Sequence, residues 1–218
     1  MKQLNKFLFI IGCIISCTVQ AMGRPAAAAA APDGVTTRGV IGYYYQDKPG
    51  GAHFSSEVFK RVDPNFTFNW GNNSPGPNIT NDNFSVRWKG LFRPPVTGTY
   101  TFNSNADDGL KFIIKDWANR EADPGKVVLN NNGACCADFS GTVDLVGGRL
   151  YPVEIEFFEG GGGANIMYFK WTAPGIAQEQ VPDEYFYATL PDAAARPKIT
   201  PDRGLFEGSV DVTLSSTT

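Results

Sequence analysis

Two adjacent aspartates followed by glycine, Asp107-Asp108-Gly109, are the residues here whose types could best hold a ligand. In an extended trans backbone neighbouring side chains point to opposite faces, so adjacent carboxylates do not normally share a partner. A cis peptide would bring both to one side, at a cost of about 2.5–4 kcal/mol for a non-proline bond. A hard cation could offset that cost, because Ca²⁺ takes about six to eight oxygens in tolerant geometry. The competing reading is a solvated turn, for which Asp-Asp-Gly is a common sequence.

Other chemistry is sparse. His53 is the single histidine, has no partner for nucleophilic catalysis and is expected at the surface. No local motif of a Ser/His/Asp triad occurs. Glu154 and Glu156 share a face at strand spacing, but the alternation around them marks a wet strand face, not a glycosidase pair across a cleft. Gly160-Gly161-Gly162-Gly163 lacks the Lys-Ser/Thr and the helix of a phosphate loop. Cys135 and Cys136 are adjacent, so an oxidising compartment permits a vicinal disulfide. They lie outside the candidate loops in sequence and are expected to be dispensable for ligand binding. Neither C-x-x-C nor a Cys/His spacing supports zinc. Trp117, in an irregular polar stretch, is a candidate to stack on a sugar ring, whereas Trp70, Trp88 and Trp171 read as core.

The elements that must position these residues are strands. Val40 to Tyr45 is a β-rich run, and Phe84, Val86, Trp88 and Phe92 alternate with Ser85, Arg87 and Lys89 as a strand with one wet face. Tyr100 and Phe102 alternate with Thr101 and Asn103, and Leu110 to Ile114 is a short apolar strand. Val153, Ile155 and Phe157 form one inward set; Met167, Phe169 and Trp171 form another, with the four glycines as the loop between them. No amphipathic helix intervenes. The expectation is an all-β, antiparallel two-sheet barrel or sandwich, with Phe84, Val86, Trp88, Tyr100, Phe102, Ile155, Phe157 and Phe169 buried.

The 218 residues divide into an appendage, one domain and a tail. Residues 1–21 read as an export signal: Lys2 and Lys6, an apolar stretch from Phe7 to Ile15, then small residues. Two processing routes stay open. Val19-Gln20-Ala21 suits ordinary cleavage, while Ile14-Ile15-Ser16-Cys17 is like a lipobox with Cys17 as lipid anchor. Residues 22–37 are an Ala/Pro/Gly linker, 38–191 the β domain, and 192–218 a hinge with the incomplete start of a further β domain. The expected location is outside the cell or on its surface. A net charge of −3, more negative once Lys2 and Lys6 are removed, and the absence of a Lys/Arg run argue against nucleic acid as partner.

Several motifs in order resemble the protective-antigen-type β-barrel domain, the PA-fourteen family, over roughly Thr37 to Leu190. They are Gly42-Tyr43-Tyr44-Tyr45, Val62-Asp63-Pro64-Asn65, Phe68-Asn69-Trp70-Gly71 and the run from Asn83 to Gly90. Gly98 to Phe102, Ala106-Asp107-Asp108-Gly109, Tyr151 to Ile155 and Phe157 to Gly162 follow. The tail from Pro197 to Leu214 resembles the first strands of the immunoglobulin-like modules at the C-terminal end of chitobiase-type hydrolases. Several members of the first family are lectins, and the resemblance implies a calcium-dependent carbohydrate-binding module and not an enzyme. The alternative is a structural or protein-interaction domain of the same fold without a ligand site. In the lectin members a cis Asp-Asp pair holds Ca²⁺ and sugar hydroxyls complete the coordination. The resemblance therefore implies Asp107, Asp108 and Glu159 as metal ligands. It implies Asp107, Asp108 and the Gly160–Gly163 loop, with carbonyls for the ion, as the surface for a glycan or polysaccharide. The second loop departs from those lectins, offering Glu159 and four glycines in place of an amide and bulky side chains.

Overall fold

The computed structural model describes residues 37–115, 124–131, 135–188, 198–200 and 213–215. The first strands are β1 (Val40–Gln46), β2 (Glu57–Asp63), β3 (Phe68–Gly71), β4 (Phe84–Phe92), β5 (Gly98–Asp107) and β6 (Gly109–Ile114). They are followed by β7 (Lys126–Asn130), β8 (Asp138–Leu145), β9 (Tyr151–Glu159), β10 (Ala164–Ala173), β11 (Ile176–Gln180) and β12 (Phe186–Tyr187). A seven-stranded sheet runs β2-β1-β4-β9-β6-β7, with β12 beside β4. A five-stranded sheet runs β11-β10-β5-β8, with β3 beside β10. Neighbours pair antiparallel, and among the described residues no ladder joins the two sheets. Among the described residues the architecture is the two-sheet form, with no closed barrel.

Alternation builds the core. Along β9, Tyr151, Val153, Ile155 and Phe157 turn inward while the residues between them stay half-buried. Aromatic rings from opposite sheets meet in the middle: Phe102 of β5 lies 5.0 Å from Phe112 of β6, and Phe92 of β4 lies 5.8 Å from Trp171 of β10. Such contacts favour edge-to-face and tilted geometries. All eight residues expected to be buried are fully buried.

One buried carboxylate ties the seven-stranded sheet together. Asp63 accepts hydrogen bonds from Tyr44 Oη at 2.6 Å, Trp88 Nε1 at 2.7 Å and Arg61 Nε at 2.6 Å. Gly42 makes this possible, since a Cβ there would lie 2.5 Å from Asp63 Oδ2. The glycine before the tyrosines is a packing residue.

Two expectations change. Met167 is 62% exposed, not part of an inward set. The register of β10 against β5 slips between Ile166 and Tyr168, so one extra residue moves Ile166 inward and Met167 outward. The outer face of β4 is also less wet than its alternation suggests. Ser85 is buried and accepts a hydrogen bond from Phe54 N, and the Arg87 guanidinium packs 4.1 Å from the Phe54 ring centroid. His53 is exposed as expected but is not isolated: its ring stacks on Phe158 at 4.2 Å and Nδ1 lies 3.1 Å from Asp47 Oδ2. Glu154 and Glu156 line the outer face of β9, where Arg87, Lys111 and Lys115 pair with them.

In the tail, β13 (Lys198–Thr200) pairs with β14 (Thr213–Ser215) as a separate two-stranded sheet. The leader with Cys17, the linker up to residue 36, and Trp117 lie outside the described residues. No helix among the described residues is long and apolar enough to cross a membrane.

Candidate functional site

The two candidate loops are crossovers between sheets, and strand pairing makes them neighbours. Asp107-Asp108 links β5 in the five-stranded sheet to β6 in the seven-stranded one. Gly160–Gly163 links β9 to β10 in the opposite sense. Because β6 pairs with β9 and β5 with β10, the connections run side by side at one end of the domain. In register, Gly109 sits opposite Phe158 and Asp107 opposite Asn165. Gly109 begins β6 where the sequence suggested a turn, and a Cβ there would lie 2.1 Å from Phe158 Cε1. Only glycine lets the ring lie across the strand.

The peptide between Asp107 and Asp108 is cis. Asp108 Oδ2 accepts a hydrogen bond from Gly160 N at 2.7 Å, which fastens the second loop to the first. Gly162 N donates to Asp82 Oδ1 at 3.3 Å, so Asp82 from the segment before β4 holds the same loop from its other side. A Cβ on Gly161, Gly162 or Gly163 would meet nothing within 4 Å. That side of the loop is open.

Glu159, the last residue of β9, is near enough for the Asp108 and Asp107 charges to act on it, but the ligand atoms of the three carboxylates do not all lie within 4.8 Å of one another. Glu159 is 1% exposed, and neither carboxylate oxygen finds a hydrogen-bond partner of good geometry. Burial pushes its carboxyl from 4.5 up to about 7; the charges of Asp108 and Asp107 add to the rise, and the nearby Gly161 amide opposes it. Burial and the Asp108 charge also hold the Asp107 carboxyl above its usual range. Among the described residues, the ion pairs involve Asp47, Asp63, Glu154 and Glu156 and leave Asp107, Asp108 and Glu159 without a cation. A buried anion with no counter-charge is costly, and an added cation is the direct remedy. The oxygen-only donor set suits a hard divalent ion.

Cys135 and Cys136 form a vicinal disulfide, and folding brings this pair, outside both candidate loops in sequence, against Asp107. Cys135 Sγ lies 2.9 Å from Asp107 Oδ1 and Cys136 N donates to Ala106 O at 3.1 Å. The Asp107, Cys135 and Cys136 ligand atoms lie within 4.8 Å of one another, but disulfide sulfurs carry no thiolate to bind a metal.

Sequence reasoning missed Asp82 and Asn165, and it allowed the disulfide without placing it beside Asp107. Asn165 donates from Nδ2 to Gly163 O at 3.3 Å and leaves its buried Oδ1 unpaired. Its only signal is register, which becomes readable once β10 is aligned on β5.

Two antiparallel sheets joined by neighbouring crossovers at one end define an all-β, two-sheet domain class. The chain belongs to the PA14 domain family, whose profile matches residues 37–185. Anti-sigma-I factor RsgI3 of Acetivibrio thermocellus is 27% identical over 158 residues, which cover 70% of this chain and 22% of that protein. The chain therefore spans about a fifth of the curated relative's length. An anti-sigma factor domain-containing protein from Clostridium clariflavum is 28% identical with a TM-score of 0.55, covering 71% of this chain and 48% of that one. The Epithelial Adhesin 6 A domain of Candida glabrata shares the fold at a TM-score of 0.57 and 21% identity, over 76% of this chain and 92% of that one.

Proposed function

We propose that this chain is a calcium-dependent glycan-binding module of an exported or cell-surface protein, and not itself an enzyme. The observation that carries the reading is Glu159, a buried carboxylate with both oxygens unpaired and within reach of the Asp108 and Asp107 charges. Asp107, Asp108 and Glu159 would hold the ion, with carbonyls of the Gly160–Gly163 loop. Bound Ca²⁺ would supply open coordination positions for vicinal hydroxyls of a sugar. The residues themselves do the rest. Gly160 N orients Asp108 through their hydrogen bond, and Asp82 fixes the loop through Gly162 N. Side chains are absent from the open side of that loop, leaving room for a ring. The Epithelial Adhesin 6 A domain, similar in fold, is in complex with Galβ1-3GlcNAc, which supports a glycan as ligand class.

Calorimetric titration of the chain with CaCl₂, followed by a glycan array run with calcium and with chelator, tests the proposal. Saturable one-site calcium binding and chelator-sensitive glycan binding are expected. If no calcium binds and the melting temperature ignores chelator, the mechanism fails. The domain is then an interaction module of the same fold.

A further inference from the structure

The outward positions of β5 are Asn103, Asn105 and Asp107, every second residue, so one strand face leads from the carboxylate site down the five-stranded sheet. Beside Asn103 in register stand Ser140 of β8 and Lys170 of β10; beside Asn105 stand Asp138 and Tyr168. Asn103, Asp138, Ser140, Tyr168 and Lys170, with Phe139 of β8 and Gln178 of β11, line a cavity of about 370 Å³ on the outer face of the sheet; Asn105 adjoins it without lining it.

The lining is polar, mixed in charge and incompletely satisfied. Asp138 accepts hydrogen bonds from Asn105 Nδ2 at 2.7 Å and from Tyr168, which hold its carboxyl below the usual range. Lys170 Nζ lies 4.6 Å from the Tyr168 ring centroid and its charge acts on Asp138, so one acid and one base offset each other. Asn105 is 8% exposed yet leaves Oδ1 unpaired, and the Asn103 amide leaves Nδ2 unpaired. An unpaired buried acceptor beside an unpaired buried donor asks for a partner that both gives and takes hydrogen bonds. A hydroxyl does so. A neutral, many-hydroxyl ligand fits a lining whose charges offset; a peptide strand would need a free sheet edge, which this face is not.

We propose that this groove is a second sugar subsite, joined along β5 to the carboxylate site, so that the ligand is a neutral oligosaccharide and not a single terminal sugar. Asp107 lies four residue steps from Asn103, about 13 Å along the strand. One pyranose ring cannot span that distance and a short chain can. The Cys135–Cys136 turn flanks the path: Asn105 Nδ2 also donates to Cys136 O at 3.2 Å, and Cys135 Sγ touches Asp107. The inference rests on the glycan reading above and gives it a ligand length and direction.

The test is calorimetry on the whole chain with calcium, using galactose, glucose, mannose and xylose and their β-linked tetramers. Wild type is compared with Tyr168→Ala, Gln178→Ala and Lys170→Ala. A sugar that binds as monomer is expected to bind about tenfold tighter as tetramer, the effect of one or two added hydrogen bonds. Gln178→Ala and Lys170→Ala should each reduce that gain, and Tyr168→Ala should abolish it, with calcium affinity unchanged throughout. Equal affinity for monomer and tetramer, or a gain that survives in all three variants, overturns the subsite and leaves the glycan reading standing. Failure of every sugar to bind the calcium-loaded chain overturns both.

Discussion

Replacing Glu159 by Gln removes a buried charge while keeping the shape of the side chain. Without calcium at pH about 8, the wild-type domain holds an ionised Glu159 that is 1% exposed and lacks a hydrogen-bond partner. A carboxyl moved from 4.5 to about 7 corresponds to about 3 kcal/mol. The sign follows from which form the fold prefers. A raised carboxyl pKa means that the folded state favours the protonated group. The contribution is therefore full below pH 4.5 and lost as pH rises through about 7. Glu159→Gln cannot lose it. In chelator the variant should melt with wild type at pH about 4, and about 6–12 °C above it at pH about 8. Calcium should narrow or reverse that order. At about 100 times its dissociation constant the ion stabilises wild type by roughly 2.7 kcal/mol and should stabilise the variant far less. Thermal melts followed by circular dichroism across this pH range, with chelator and with CaCl₂, read all of these quantities. If wild type and variant melt together at pH about 8 in chelator, Glu159 is not an uncompensated anion and the argument for the ion collapses.

Because bound calcium requires the carboxylate form, wild-type calcium affinity should fall about tenfold per pH unit below about 7, as isothermal titration would show. Asp108→Asn should weaken calcium by at least about tenfold with little change in the calcium-free melt, because the amide oxygen still accepts from Gly160 N. Asp63→Ala strands the Trp88 and Tyr44 donors and should cost about 2–5 kcal/mol in urea unfolding; a loss under about 1 kcal/mol would refute the buried network. Gly109→Ala places a methyl against Phe158 and should cost about 1–3 kcal/mol, together with weakened calcium binding.

The strands and their inward faces were legible in the sequence because a side-chain period of two is a local property. Phe84, Val86 and Trp88 mark a buried face whatever strand lies beside them. The Asp107-Asp108 pair was legible for a similar reason, since adjacency alone sets the problem a cation would solve. Residue type could not show which distant groups complete the site. Glu159 was found through the family resemblance, but its burial without partners exists only because β9 lies between β4 and β6. Met167 was misread because one extra residue in β10 inverts the faces, and a bulge leaves no mark in the alternation before it. Asp82, Asn165 and the disulfide reach the site through long-range pairing of crossovers, which no local pattern encodes. Local periodicity determined which residues face the core; the order in which the strands pair decided which carboxylates, amides and sulfurs meet at its end.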